Sequence, residues 1–180
     1  MTPPPFAGAY WAERKETRQE IAGRISTFLS RVGSTDATFE RWFRKSHAGP
    51  TATMQIRNDP LEIERILKPN RRDADKSAVS ELGVAFTAWN GRGVSLSATI
   101  GAFSPFVRNS VVVSFDEVPN EWSSSTWRGV VHALIGSFDP DRVVVTNSEI
   151  LARAKASFPW EAGWLQYERG SDVREYDVAI

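Results

Sequence analysis

Residues 82–100 read LGVAFTAWNGRGVSLSATI, and this stretch decides the fold class of the chain. On both sides of Asn90-Gly91 the side chains alternate between apolar and small or polar types, which is the period of a β-strand with one buried face. Asn-Gly is a strong hairpin signal because both residues tolerate positive φ. The stretch therefore predicts two antiparallel strands with an apolar face and an opposite, hydroxyl-rich face that carries Trp89.

The flanking sequence predicts a sheet with helices packed on one of its faces. Apolar residues at three- and four-residue intervals indicate helices, and short β-branched or aromatic runs indicate strands. Four helices are predicted: 13–32, a short one after the cap at Asp59, one at about 123–138, and one that a capping box in TNSE (146–149) opens and that ends near 156. Beyond the hairpin, the predicted strands are 39–45, 110–115, 142–146, 162–168 and one within 173–179. The pattern predicts a single α+β domain over residues 10–180, with a mainly antiparallel sheet. Residues 1–9 contain three consecutive prolines and predict a flexible N-terminal lead.

Composition excludes several classes of function. The chain has 22 basic and 22 acidic residues, so no net field attracts nucleic acid or an anionic membrane. The absence of cysteine excludes disulfides, thiolate metal sites and thiol nucleophiles. The N-terminus lacks the features of a signal peptide, and no apolar run approaches the roughly 20 residues of a membrane span. We expect a cytoplasmic protein that binds neither nucleic acid nor membrane.

The sequence offers no recognisable catalytic, metal or cofactor motif. Its two histidines, His47 and His132, lack a partner at the spacing of a metal site. The sequence contains no GxSxG elbow and no phosphate-binding loop. We therefore expect no catalytic residues, no metal and no cofactor, and interpret the chain as a binding or inhibitory module.

Three groups of residues are candidates for binding a partner protein. One is the hairpin tip with Trp89, Asn90 and Arg92; the second is the charged run with Arg71, Arg72 and Asp73; the third is an acidic group with Asp116, Glu117, Glu121 and Trp122. Each group has two interpretations. The tryptophan at the tip either closes the rim of the core or acts as an interface hot spot. The arginines either pair within a solvated loop or form a fork for a carboxylate or phosphate. The acidic residues either act on a helix N-terminus or form a contact patch.

Six segments occur together in an order and spacing that resemble the immunity protein 52 family. They are YWAERKETRQEIAGRISTFL (10–29), ATFERWFRK (37–45), NRRDAD (70–75), LGVAFTAWNG (82–91), GAFSPFVRNSVVV (101–113) and AGWLQYE (162–168). The resemblance spans Tyr10 to about Glu168. It implies a bacterial antitoxin that binds a cognate polymorphic toxin, commonly a nuclease of restriction-endonuclease-like fold delivered by type VI secretion, and inhibits it by occluding its active site or blocking its motion.

Two other functions remain open from the sequence. A small hydrolase acting on the product of the toxin would require two or more of the possible catalytic side chains to converge, namely His47, His132, Asp73, Asp116 and Glu117. A chaperone or adaptor of a secretion system would bind delivery proteins instead of the catalytic domain of the toxin.

Overall fold

The computed structural model describes residues 3–44, 54–70, 80–116 and 123–176. Within them the helices are α1 (Arg18–Gly33), α2 (Pro60–Ile66), α3 (Ser124–Phe138) and α4 (Ser148–Ala154). The strands are β1 (Phe6–Trp11), β2 (Phe43–Arg44), β3 (Met54–Gln55), β4 (Lys68–Pro69), β5 (Val84–Trp89), β6 (Val94–Ile100), β7 (Asn109–Phe115), β8 (Arg142–Thr146), β9 (Leu165–Glu168) and β10 (Arg174–Glu175).

These ten strands form one sheet in which neighbouring strands are antiparallel. The order is β10-β9-β8-β1-β7-β6-β5-β2-β3, and β4 pairs with β5. In the predicted hairpin, Val84 lies opposite Ile100 and Trp89 lies opposite Ser95. The meander of β5, β6 and β7 is thus confirmed, together with the prediction of a single α+β domain with a mainly antiparallel sheet.

Helices α1 and α3 lie side by side on the apolar face of the sheet. Their buried residues join Phe86, Val111 and Val113 in one hydrophobic cluster. A Cβ atom at Gly129 of α3 would collide with Thr35, which follows α1, so this glycine permits the close approach of the two helices. The predicted helix stripes therefore mark the surfaces that cover the sheet.

The prediction of a flexible lead over residues 1–9 is wrong for residues 6–9. These residues belong to β1, which pairs with β7 on one side and with β8 on the other. The strand is hard to recognise in the sequence because its first residues are mostly small: Ala7 and Ala9 point into the core, and Gly8 lies between them. Its last residue, Trp11, is buried against Phe138 with ring centroids 5.9 Å apart.

Two helix boundaries also differ from the prediction. Helix α1 begins at Arg18, because Thr17 caps it and forms a capping box with Glu20. Helix α4 is capped by Asn147, whose side chain accepts a hydrogen bond from the backbone N–H of Ile150, so the cap lies one residue later than the predicted TNSE box. The short helix after Asp59 is confirmed.

Most of the predicted strand 39–45 is not a strand. Residues 37–39 form a 3-10 turn, and only Phe43–Arg44 pairs with the sheet. Phe39 and Trp42 are three residues apart and both are buried, a spacing that suits a turn better than a strand. The segment therefore attaches to the core through two aromatic side chains.

The opposite side of the β5–β7 meander, here called the outer face, carries small and mostly hydroxyl-bearing side chains. Its members alternate with the core residues: Ala85, Thr87, Trp89, Ser95, Ser97, Thr99, Ser110, Val112 and Ser114. Next to it, Tyr10 of β1 packs against Trp160, which lies in the 3-10 turn Pro159–Glu161, with ring centroids 5.0 Å apart. Within the described parts of the chain, no helix is long and apolar enough to cross a membrane.

Candidate functional site

Four predicted site residues meet at one end of the sheet, here called the hairpin end. Trp89, Asn90 and Arg92 lie at or beside the β5–β6 turn. Asp116 follows β7 and is held there by its backbone N–H, which donates a 2.7 Å hydrogen bond to the carbonyl of Gly93. The structure therefore brings the hairpin-tip group together with Asp116, the one member of the acidic group that it describes. The other six candidates, Arg71, Arg72, Asp73, Glu117, Glu121 and Trp122, lie outside the described residues, as does His47.

Asn90 shapes the hairpin through its side chain. It is only 4% exposed, and its Oδ1 accepts hydrogen bonds from the backbone N–H groups of Arg92 (2.8 Å) and Val94 (2.9 Å). The two positive φ angles of the turn fall on Gly91 and Gly93. The hairpin prediction is confirmed, but tolerance of positive φ explains only Gly91. Asn90 stabilises the turn through the hydrogen bonds of its side chain.

The same asparagine joins the hairpin to the preceding 3-10 turn. Its Nδ2 donates a 3.0 Å hydrogen bond to the carbonyl of Thr38. The turn is itself fixed by Asp36, whose carboxylate accepts from the backbone N–H of Thr38 at 2.8 Å. Two segments far apart in the sequence are thereby held at a defined distance.

Buried aromatic rings on either side of Glu40 and Arg41 direct these two side chains to solvent. Phe39 is fully buried, Trp42 is nearly so, and their rings stack with centroids 6.3 Å apart. The indole N–H of Trp42 donates a 2.9 Å hydrogen bond to the carbonyl of Phe39. Because both anchors point inward, Arg41 lies exposed on a short and rigid segment.

The hairpin and the turn enclose a surface depression of about 380 Å³, here called the hairpin cleft. Its lining comprises Ala37, Thr38, Glu40, Arg41, Phe43, Asn90, Gly91 and Arg92. No ion pair joins Arg41 or Arg92 to another side chain of the described residues. Sequence reasoning identified Arg92 and missed Arg41. The sequence FERW (39–42) could have identified Arg41, because a charged pair between two aromatic residues indicates an exposed turn with buried anchors.

Trp89 lies next to the hairpin cleft on the outer face. Its cross-strand partners are Phe43 of β2 and Ser95 of β6. The tryptophan is partly buried, and it does not belong to the core cluster that includes Phe86 and Ala88. This position gives the indole both a packing surface within the protein and a face that a partner can reach.

A second charged cluster, around Glu16, stabilises the packing of the helices. Glu16 has a side chain that is 5% exposed, and it pairs with Arg14 at 3.2 Å and with Arg24 at 2.5 Å. Both arginines also donate to backbone carbonyls at the C-terminus of α3, those of Phe138 and Ser137. Cations stabilise a helix C-terminus, so this cluster fastens α3 to the chain that precedes α1.

The possible catalytic residues are dispersed where the structure describes them. His132 is exposed on α3, in the helix layer, and Asp116 lies at the hairpin end of the sheet. Over residues 3–44, 54–70, 80–116 and 123–176, no group of three or more histidine or acidic side chains is arranged to hold a metal ion. Burial raises the pKa of Tyr10 to about 12, so its phenol stays neutral well into the alkaline range.

Comparison with protein families identifies the chain as similar to one of them. The model of the immunity protein 52 family matches residues 5–171, which is nearly the whole chain and includes every element that builds the hairpin cleft. A comparison with curated proteins gives no match. Membership of an immunity family implies that a cognate toxin is the partner and is neutralised. On this match, the chain belongs to the immunity protein 52 family.

Proposed function

We propose that this protein binds the catalytic domain of a toxin encoded beside its own gene, and that it inhibits this domain by covering the active site or by blocking a movement that catalysis needs. The observation that carries the proposal is the family match over residues 5–171. In this mechanism the protein is an inhibitor and performs no chemistry. A stable complex would cover about 800 Å² on each partner.

The hairpin end is the proposed contact surface. It combines an exposed arginine, Arg92, with the accessible face of Trp89, and interface hot spots are enriched in these two residue types. The buried Asn90 side chain and the cross-strand pairing hold both residues on a rigid frame. Rigid contact residues lose little conformational entropy when a complex forms, so binding can be tight.

We further propose that the toxin is a nuclease of restriction-endonuclease-like fold that is delivered by type VI secretion. This proposal is supported by the family resemblance. The chain has no net charge, with 22 basic and 22 acidic residues. A neutral inhibitor does not imitate DNA over its whole surface. It inhibits through a local contact.

Co-expression with the adjacent toxin gene tests the proposed function. Growth arrest by the toxin should be relieved, and the two proteins should elute from gel filtration as one complex when the toxin carries an inactivating substitution. The proposal fails if growth arrest persists at full expression of the immunity protein and no complex forms. It also fails if the purified protein destroys the toxin's product catalytically, or if it binds delivery proteins and leaves the toxin domain free.

Trp89→Ala tests the proposed location of the contact. Because Trp89 lies outside the core cluster, the variant should fold, and its affinity for the toxin should fall about tenfold or more. The matched control is Phe106→Ala, an aromatic truncation in the β6–β7 loop at the opposite end of the sheet, where the ring is 93% exposed. If only the control variant loses affinity, the hairpin end is not the contact surface.

A further inference from the structure

We propose that the hairpin cleft receives an aspartate or glutamate side chain of the toxin, held between the guanidinium groups of Arg41 and Arg92. This inference rests on the proposed function and specifies one contact within it. A carboxylate presents two oxygen atoms, and a guanidinium donates two parallel N–H groups to them, so the pair forms a directional, charge-assisted contact.

The charges that line the hairpin cleft do not balance. Its lining contains Arg41 and Arg92 and a single acidic residue, Glu40, whereas Asp116, the other carboxylate of the hairpin end, is not part of the lining. Several other arginines of the described chain are paired within the protein: Arg14, Arg24, Arg128, Arg142, Arg153 and Arg169 each form an ion pair. The two arginines of the hairpin cleft form no such pair with described residues and remain available to a partner.

Hydrogen bonds and buried rings fix the backbone that carries both arginines. Arg41 is fixed by the buried rings of Phe39 and Trp42 on either side of it. Arg92 is fixed through its backbone N–H, which donates to the buried side chain of Asn90 at 2.8 Å. Because the hydrogen bond from Asn90 to Thr38 links the two segments, the two guanidinium groups start from backbone positions that are set before binding.

An aromatic ring forms part of the wall of the hairpin cleft. The ring of Phe43 lies beside Gly91, and a Cβ atom at that glycine would stand 3.4 Å from the ring. Gly91 also has a φ of 78°, a conformation that favours glycine. The apolar ring lines the hairpin cleft together with the two arginines. Once a partner covers the cleft, this wall offers its charged group no competing hydrogen bonds, and a charge-assisted hydrogen bond is stronger where water is excluded.

A carboxylate fits these observations better than a nucleic acid phosphate. Proteins that bind duplex DNA through its backbone typically make about 6–10 phosphate contacts, whereas the hairpin cleft supplies two arginines. The chain has no net positive charge to add to them. A single acidic side chain on a protein surface requires only the local pair.

The test uses the full-length protein and the inactive toxin domain. We expect Arg41→Glu and Arg92→Glu each to weaken the complex about tenfold or more, and the double variant to weaken it further, because each places a carboxylate where a carboxylate binds. Isothermal titration calorimetry measures the affinity, and thermal unfolding confirms that each variant is folded. The matched control is Arg65→Glu, the same charge change at an exposed arginine of α2, which should alter affinity less than about threefold.

The outcomes separate this inference from the proposed function. If the wild-type protein forms no complex with the toxin, the proposed function fails. If the wild-type complex forms and the double variant binds equally well, only the assignment of the hairpin cleft fails. Binding of duplex DNA by the wild-type protein, lost in the double variant, would show a phosphate site and would also overturn the assignment.

A charge exchange identifies the partner group. Surface aspartates and glutamates of the toxin are changed one at a time to arginine, and each variant is titrated with the Arg41→Glu/Arg92→Glu protein. We expect one such change to raise the affinity for the double variant at least tenfold, because it recreates an opposite-charge contact with the two signs exchanged. If none of them restores binding, a carboxylate of the toxin does not occupy the hairpin cleft.

Discussion

Replacing Asn90 with alanine tests whether one side chain holds the hairpin end together. The change removes three hydrogen bonds: two from the backbone N–H groups of Arg92 and Val94 to Oδ1, and one from Nδ2 to the carbonyl of Thr38. The N–H of Val94 is buried, so water does not readily replace its lost partner. The expected result is a folded but less stable protein.

The magnitude follows from these contacts. A hydrogen bond within a protein contributes about 0.5–1.5 kcal/mol to stability, and an average of about 1 kcal/mol applies here because one of the three bonds is buried and two are partly buried. The loss for Asn90→Ala is therefore about 3 kcal/mol. For a chain of this length each kcal/mol lowers Tm by roughly 2–4 °C, so the expected decrease is about 6–12 °C.

Thermal and urea unfolding, followed by circular dichroism, measure this loss. The matched control is Asn58→Ala, which removes a single hydrogen bond from an exposed asparagine to Ser30 and should cost less than about 0.5 kcal/mol. If Asn90→Ala unfolds at the same temperature as the control variant, Asn90 does not stabilise the hairpin end. The pre-organisation argued for the hairpin cleft then loses its basis.

Three further predictions concern the rest of the fold. Ala9→Lys places a charge at a fully buried position of β1 and should prevent folding. The control variant Ala9→Gly should fold, with a loss of about 1 kcal/mol in stability. Solubility and circular dichroism compare the two variants, and a folded Lys variant would contradict the central position of β1. Glu16→Gln removes the charge of a nearly buried carboxylate that pairs with two partly exposed arginines, Arg14 and Arg24, and should cost about 2 kcal/mol in urea unfolding. An unchanged midpoint would show that the cluster does not fasten α3. Burial raises the pKa of Tyr10 from its ordinary 10.0 to about 12, so the stability linked to its neutral phenol is complete below pH 10 and is lost as the pH rises towards 12. Tyr10→Phe should abolish this part of the alkaline loss in urea unfolding at pH 9–12, and an unchanged pH profile would refute the linkage.

Local patterns in the sequence were sufficient to predict most elements of the fold. The alternation on both sides of Asn90 predicted β5 and β6, because adjacent side chains in a strand face opposite sides whatever the rest of the chain does. The apolar stripe of α3 and the cap at Asp59 are likewise properties of neighbouring residues. Each of these features depends on a few successive residues, so the sequence of that segment is enough to predict it.

The candidate site was only partly predictable. Trp89 and Arg92 stand beside a recognisable turn, so the sequence identified them as exposed hairpin residues. Arg41 was missed because nothing in its own segment shows that the hairpin will lie beside it. Asn90 was identified as a turn residue, yet the burial of its side chain follows from its contact with Thr38, which is 52 positions away in the chain.

Patterns within single segments were enough to predict the class of the fold, the three-strand meander and most of the helices. Contacts between distant segments make the short stretch after the prolines a central strand and place Arg41 and Arg92 in one cleft. The reason is physical: a repeat of apolar residues acts between near neighbours, whereas strand pairing and cleft formation join distant segments. Ala9, for example, lies between Val111 and Val143, which its own neighbours in the chain do not specify.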